Sequence, residues 1–177
     1  TGRLHLLKVA DLPYGRFRDK GTPLDNLCNY SSTEEEILRI EGLNAVKSTN
    51  LLFATQQGMI KKVEGTEFDV SKRTIASTKL TDGDKLIAVL LIGEEEQIVL
   101  QSIDGYFLRF MLEEVPVKKK AAIGVRGMKM NAKDQLLQVH LLTPNGDDIA
   151  IYKDKEVHLN RLRISKRDAK AVKTRVS

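Results

Sequence analysis

Ile98–Phe110 reads IVLQSIDGYFLRF. Two apolar runs, 98–102 and 106–110, are split by Ile103-Asp104-Gly105. Branched and aromatic residues flanking a short Asp-Gly loop predict a β-hairpin, because glycine accepts the positive φ that a tight turn demands. The same pattern stands upstream as Leu51–Val63, LLFATQQGMIKKV, with Gly58 at the turn. A weaker copy follows downstream as Ile149–Leu159, IAIYKDKEVHL, with Asp154-Lys155 at the bend. The chain opens on the second half of another copy, Thr1-Gly2 followed by RLHLLKV (3–9). Such recurrence marks a repeat protein, whose function is to be read per repeat.

Four units follow, at about 1–43, 44–93, 94–142 and 143–177. Each runs hairpin, acidic or proline corner, basic loop, strand, acidic turn, apolar strand. In the second unit these are Thr66-Glu67-Phe68, then Lys72-Arg73, then 75–80, the turn Thr81-Asp82-Gly83-Asp84, and 86–92, read as a strand buried on both faces. In the first unit, 37–40 (ILRI) behind Glu34-Glu35-Glu36 is read as a strand rather than as a short helix capped from Ser32 or Thr33. The fourth stops before any acidic turn or closing strand. Turn positions step by 56 (Gly2 to Gly58), 47 (Gly58 to Gly105) and 50 (Gly105 to Lys155). Four strands in about fifty residues fit a propeller-like blade. No stretch sustains apolar residues at i, i+3, i+4 and i+7, as helical repeats require. The expected fold is all-β, a partial array of about three to four four-stranded blades, incomplete at both ends and hence a piece of a longer protein.

Composition is that of a globular chain, 41% hydrophobic and 30% charged over 177 residues. No apolar run nears the ~20 residues that span a bilayer, and no signal peptide opens the chain, so no membrane partner is expected. Cys28 is the one cysteine, which rules out an intrachain disulfide and suits a reducing cytosol; it is read as a small buried apolar residue. The balance of 29 Lys+Arg against 24 Asp+Glu permits a polyanionic partner without requiring one. Placement of charge therefore decides more than its total.

Cations gather at one point of each unit: Arg16, Arg18 and Lys20; Lys72 and Arg73; Lys118, Lys119 and Lys120; Lys166, Arg167 and Lys170. One basic run alone reads as a solvated loop that keeps edge strands soluble. Recurrence changes that reading, since in a radial array the same loop of successive blades reaches the same rim. A curved positive track neutralises phosphates, releases counterions and favours bent duplex without reading bases. Arg126, Lys129, Arg161, Arg163, Lys173 and Arg175 could widen it.

The hairpins LLFATQQGMIKKV and IVLQSIDGYFLRF, with LTDGDKLIAV, EEVP and IGVRGMKM, resemble the C-terminal β-pinwheel domain of the A subunit of bacterial type IIA topoisomerases, DNA gyrase and topoisomerase IV. The opening GRLHLLKVADLPYGRFRDKGTPLDNL is similar to the preceding blade of that family. The resemblance implies a non-catalytic domain that binds double-stranded DNA on its basic outer rim, Arg126 included, and bends it toward the enzyme's cleavage-and-passage core. It implies blades that exchange strands with their neighbours. It also implies partnership with the rest of the A subunit, and with the ATPase B subunit, in the cytoplasm at the nucleoid. The gyrase-specific basic glycine-rich box would precede Thr1; Arg16–Gly21 (RFRDKG) occupies the equivalent loop of the next blade without spelling it. In the last unit Asp154-Lys155 replaces the glycine turn and Ala171 stands at an expected loop glycine. These departures leave gyrase and topoisomerase IV both open, with a slight lean to topoisomerase IV, whose pinwheels are the more degenerate.

No active site is expected. By resemblance the strand-cleaving tyrosine lies in another domain, and Tyr14, Tyr30, Tyr106 and Tyr152 are read as core or rim packing. His5, His140 and His158 fall on strands of three different repeats without ligands at zinc spacing. Gly124-Val125-Arg126-Gly127 precedes no helix and is no dinucleotide fingerprint. No cofactor or metal is called for. Two rival readings are a propeller-type interaction module with an acidic protein partner, and an enzyme with a polar constellation on the propeller axis.

Overall fold

The structure is a computed structural model that describes residues 1–174. Its strands are β1 (Arg3–His5), β2 (Asn50–Thr55), β3 (Met59–Glu64), β4 (Thr74–Ala76), β5 (Leu86–Leu91), β6 (Gln97–Ser102), β7 (Tyr106–Met111), β8 (Val125–Arg126), β9 (Leu136–Leu142), β10 (Ile149–Tyr152), β11 (Lys155–His158) and β12 (Val172–Lys173). A short helix, α1 (Leu43–Lys47), precedes β2. These strands pair antiparallel, in two four-stranded sheets ordered β5-β2-β3-β8 and β9-β6-β7-β12, flanked by the pairs β1-β4 and β10-β11. Three of these sheets take an outer strand from the next repeat: β4 joins β1, β8 joins β3 and β12 joins β7.

The two inner sheets are apolar on both faces because each is stacked between two others. Side chains alternate across a strand, so Leu52, Ala54 and Ile60 of one sheet meet Ile98, Leu100, Leu108 and Phe110 of the next. The alternate residues Val99 and Phe107 face away, onto Ala150, Val157 and Leu159 of the fourth unit. Leu51, Phe53 and Val63 likewise face Leu4 and Ile75 of the first pair. This stacking accounts for apolar runs without strict alternation. β5 is nonetheless only half-buried beyond Leu86, not closed on both faces as the sequence suggests.

Carboxylates pin the hairpin turns from the acidic turns. Asp84 Oδ1 accepts from the Gln57 N–H at 3.0 Å, and Asp134 Oδ1 accepts from the Asp104 N–H at 3.1 Å. In the first unit Glu35 accepts from the Thr1 hydroxyl at 2.9 Å. Burial opposes ionisation of Glu35, but donation from Thr1, the Ser31 N–H and His5 outweighs it and holds the carboxyl below its ordinary range. The fourth hairpin turns one residue earlier than expected. Lys153 and Asp154 take the left-handed conformation, with φ of 49° and 61°, and Lys155 already begins β11.

Residues 37–40 form no strand, contrary to expectation, and Ile37, Leu38 and Ile40 are exposed. The equivalent strands β5 and β9 lie on β2 and β6, the first strands of their hairpins. Among the described residues no such strand precedes Gly2, so 37–40 has no ladder to join. Cys28 is half-buried rather than fully enclosed.

Buried cations tie one repeat to the next. Lys61, 2% exposed, donates to the carbonyls of Lys119, Lys120 and Ala122 at 3.3, 2.8 and 2.6 Å. Arg109 donates to Gln97 Oε1 and to the carbonyls of Asn160 and Leu162. Burial lowers the Lys61 pKa to about 8, against the opposing pull of the Glu67 carboxylate. The unfolded chain then holds more protons than the folded one between pH 8 and the ordinary lysine range, so this group favours the fold increasingly as pH rises through that window. Urea titrations of wild type and Lys61→Met from about pH 7.5 to 10 are expected to diverge: the wild-type midpoint gains relative to the variant as pH rises.

Gly65 opens the corner of the second unit where the third and fourth have Leu112 and Leu159. A Cβ there would overlap the carbonyls of Val46 and Thr49, so its absence lets α1 lie against the corner. Gly65→Ala is expected to cost roughly 1–3 kcal/mol by overpacking, read from the urea midpoint at constant m-value.

Candidate nucleic-acid interface

Each basic loop follows a one-turn 3₁₀ corner. The corners are Val9–Asp11, Gly65–Phe68, Leu112–Glu114 and Leu159–Arg161. In the second, third and fourth units the loop ends at the strand given to the previous repeat. To reach the neighbouring sheet it must cross that neighbour's outer hairpin strand, and the backbone records the crossing. Lys62 N–H donates to the Pro116 carbonyl at 2.9 Å and Lys118 N–H returns a bond to the Lys62 carbonyl at 2.8 Å. One repeat on, Ser165 N–H donates to the Arg109 carbonyl at 2.8 Å. In the shorter loop of the second unit, Leu6 N–H donates to the Arg73 carbonyl at 2.7 Å. The cations at 118–120 and 166–167 therefore sit at corresponding places, each just past a parallel bridge to the preceding hairpin, whereas Arg73 continues the antiparallel ladder of β1 and β4.

A second contact repeats with the loops. Glu67 accepts from the Lys120 N–H at 2.8 Å, and Lys120 Nζ donates back to the Glu67 carbonyl at 3.0 Å. Glu114 accepts from the Arg167 N–H at 2.9 Å, and Arg167 Nε donates back to the Glu114 carbonyl at 3.2 Å. An acidic corner thus docks the basic loop of the next repeat in the same way twice. Burial opposes ionisation of Glu67, yet the Lys120 N–H and the Lys119 ammonium, 3.1 Å away, prevail and hold its carboxyl below the usual range.

The expected site residues divide by engagement. Lys119 and Lys120 are tied to Glu67, and Arg167 is tied to Glu114 and to the Arg126 carbonyl. Arg126 forms a two-pronged pair with Asp168 at 2.6 and 2.9 Å, which raises the arginine pKa and lowers that of the carboxyl. Lys170 bridges by backbone to Lys129. The side chains of Arg16, Arg18, Lys20, Lys72, Arg73, Lys118, Lys166 and Lys170 are directed to no hydrogen-bond or ion-pair partner among the described residues and are free to meet an anion. Arg16, Arg18 and Lys20 lie in a fully exposed loop with no host strand among the described residues, so they share chain position but not seating with the others. Arg175 falls outside the described residues.

Lys61 and Arg109 are absent from the candidates that recurrence of basic runs picks out, although they shape the loops. For Arg109 the signal is a cation inside an otherwise apolar hairpin strand, where an unpaired charge is costly; Lys61, beside Lys62 in MIKKVE, carries no such mark. Of the tyrosines, Tyr30, Tyr106 and Tyr152 pack as expected, while Tyr14 does not: it is 98% exposed. His5 lies between Thr74 and Glu35, and His140 bonds Gln101, its pKa lowered by burial against the pull of Asp148.

The model of the DNA gyrase C-terminal domain, beta-propeller, matches residues 49–92 and 96–142, the two complete repeats. The DNA gyrase A subunit of Salmonella typhimurium is 32% identical over 147 residues, 82% of this chain and 16% of that protein. Its counterpart in Escherichia coli is 32% identical over 148 residues, 82% of this chain and 17% of that one. The chain thus spans about a sixth of the length of these curated relatives. Among solved structures, the C-terminal domain of DNA topoisomerase IV superposes with a TM-score of 0.84 at 25% identity, over 97% of this chain and 55% of that one. The DNA gyrase A C-terminal domain gives 0.59 at 26% identity, over 78% and 44%. With its matched repeats, exchanged strands and stacked sheets, the chain belongs to the DNA gyrase C-terminal domain family of β-propellers, the β-pinwheels of type II topoisomerase A subunits.

Proposed function

We propose that this chain is the DNA-binding and DNA-bending part of a type II topoisomerase A subunit, non-catalytic itself. It holds duplex on its basic rim and presents it to a strand-passage core that the A subunit shares with an ATP-hydrolysing B subunit. The observation that carries this reading is the seating of successive basic loops on the outer hairpin strand of the repeat before. Cations placed by one rule on stacked sheets follow one another along an edge, as a curved phosphate backbone requires. Topoisomerase IV is favoured over gyrase, supported by the fuller superposition on its C-terminal domain. The place of action is the cytoplasm, at the nucleoid.

Binding by charge alone has a measurable signature. Each phosphate neutralised contributes about −0.9 to the slope of log K against log salt concentration, and base sequence has little effect. Linear duplexes of unrelated sequence are expected to bind equally and to be released steeply between about 50 and 200 mM salt. Charge reversal at Lys118, Lys119 and Lys120 is expected to weaken binding and also to lower the urea midpoint, because Lys119 and Lys120 hold Glu67, whereas Lys118→Glu alone is expected to weaken binding at an unchanged midpoint. A flat salt response overturns the reading. Unchanged affinity in the reversed variant removes 118–120 from the interface.

A further inference from the structure

Arg126 ends β8 with its side chain 57% exposed, yet it is not a free cation. Both oxygens of Asp168 hold its guanidinium, at 2.6 and 2.9 Å. Asp168 stands inside the basic loop of the fourth unit, between Arg167 and Lys170. Its N–H donates to the Gly127 carbonyl at 2.8 Å, and Arg167 Nη1 donates to the Arg126 carbonyl at 2.7 Å. Donation from Arg126 is the chief cause that keeps the Asp168 carboxyl below its ordinary range against burial, and the charges of Lys129 and Arg167 add to it. One carboxylate thus answers cations from two repeats.

The junction one repeat earlier seats its loop without such a pair. Glu67 and Glu114 accept from the N–H groups of Lys120 and Arg167. Beyond them the loops close between the same positions, Ala122 N–H on the Lys119 carbonyl at 3.0 Å and Ala169 N–H on the Lys166 carbonyl at 3.2 Å. Ala121 therefore holds the place of Asp168 in the loop. Ladder register gives Ala76 the place of Arg126: Ala76 pairs with Arg3 and Arg126 with Met59, each the first residue after a turn glycine. Two alanines serve at the earlier junction, so docking a basic loop on its neighbour does not require the ion pair. What the pair changes is charge. A guanidinium with two prongs on a carboxylate has no such fork left for a phosphate, and the two charges cancel at the edge.

We propose that Asp168 is an internal counter-anion that keeps Arg126 out of the DNA contact and so sets how tightly the edge holds duplex. This rests on the DNA-binding reading above. Phosphates meet the free cations Lys118 and Lys166, and the Arg126–Asp168 pair adds none to the count.

The test measures binding of the whole chain to a linear duplex across a salt series, with the urea midpoint as the control for folding. Asp168 takes the left-handed conformation, φ 60°, which asparagine and glycine accept readily. Asp168→Asn frees Arg126 and is expected to bind several-fold tighter at low salt, with a slope steeper by about 0.9. That gain shrinks roughly threefold between about 50 and 200 mM salt. Asp168→Gly reaches the same charge on an equally suited backbone and is expected to match it. Arg126→Gln combined with Asp168→Asn removes both charges and is expected to bind as wild type does. Asp154→Asn, the same exchange in the same backbone conformation at the fourth hairpin turn, is expected to change little. If neither Asp168 variant binds tighter at an unchanged urea midpoint, Asp168 is a staple alone and the proposal falls. A double variant weaker than wild type, with a shallower slope, puts Arg126 on a phosphate already and overturns it, as does an equal gain from Asp154→Asn. If wild type retains no duplex at low salt, the DNA-binding reading falls, and the counter-anion with it.

Discussion

The antiparallel seam between each hairpin's outer strand and a strand lent by the following repeat underlies the remaining architecture. The seam is short: Met59 and Ile60 pair with Arg126 and Val125, and Tyr106 and Phe107 pair with Lys173 and Val172. Short as it is, it fixes the neighbour, because the backbone polar groups of an outer strand need partners and the next repeat supplies them. Three of the four sheets are thereby completed by residues more than a repeat away along the chain, and stacking of one sheet on the next follows from the connection. The family's distinction from a propeller of self-contained blades comes down to this exchange.

Exchange also settles where charge goes. A loop that must leave its own corner and arrive at the neighbour's sheet has one route, across the neighbour's outer strand. The backbone bonds of Lys62 to Pro116 and Lys118, and of Arg109 to Ser165, mark that route. Evolution of a basic edge then requires only basic residues in one loop per repeat. The glutamates at the corners play two parts in this arrangement. Glu67 and Glu114 dock the incoming loop by its backbone N–H groups, and Glu67 also holds Lys119, so part of the positive charge is already balanced within the protein. Asp168 balances Arg126 in the same manner. A phosphate meeting these cations would compete with a carboxylate, whereas at Lys118, Lys166 or the 16–20 loop it would meet no such rival.

Lys61 and Arg109 show how polar groups survive inside the stack. Both lie in outer hairpin strands, and each points its charge at carbonyls of a neighbouring loop, away from any regular ladder. The cation donates to loop carbonyls, and the carbonyls offset the loss of hydration at the cation. The basic loop of the third unit is therefore braced from beneath by one cation while it displays others outward.

The sequence by itself determined what is local. Alternating and branched residues around Gly58 and Gly105 set two hairpins in register, the acidic turns at Asp84 and Asp134 set their ends, and recurrence of the basic run at one point of each unit marked the candidate edge. These depend on neighbours within a few residues, where propensity and φ restrictions act directly. Tertiary structure decided what depends on a distant partner. Residues 37–40 are as apolar as a strand but have no hairpin strand beside them, and a strand without a ladder leaves its backbone to water. Tyr14 is read as a packing residue in the sequence and stands exposed, because nothing described lies over its loop. Which cations are free and which are bound to Glu67, Glu114 or Asp168 is invisible along the chain, since those partners sit 42 to 53 residues away and meet only after strands have been exchanged.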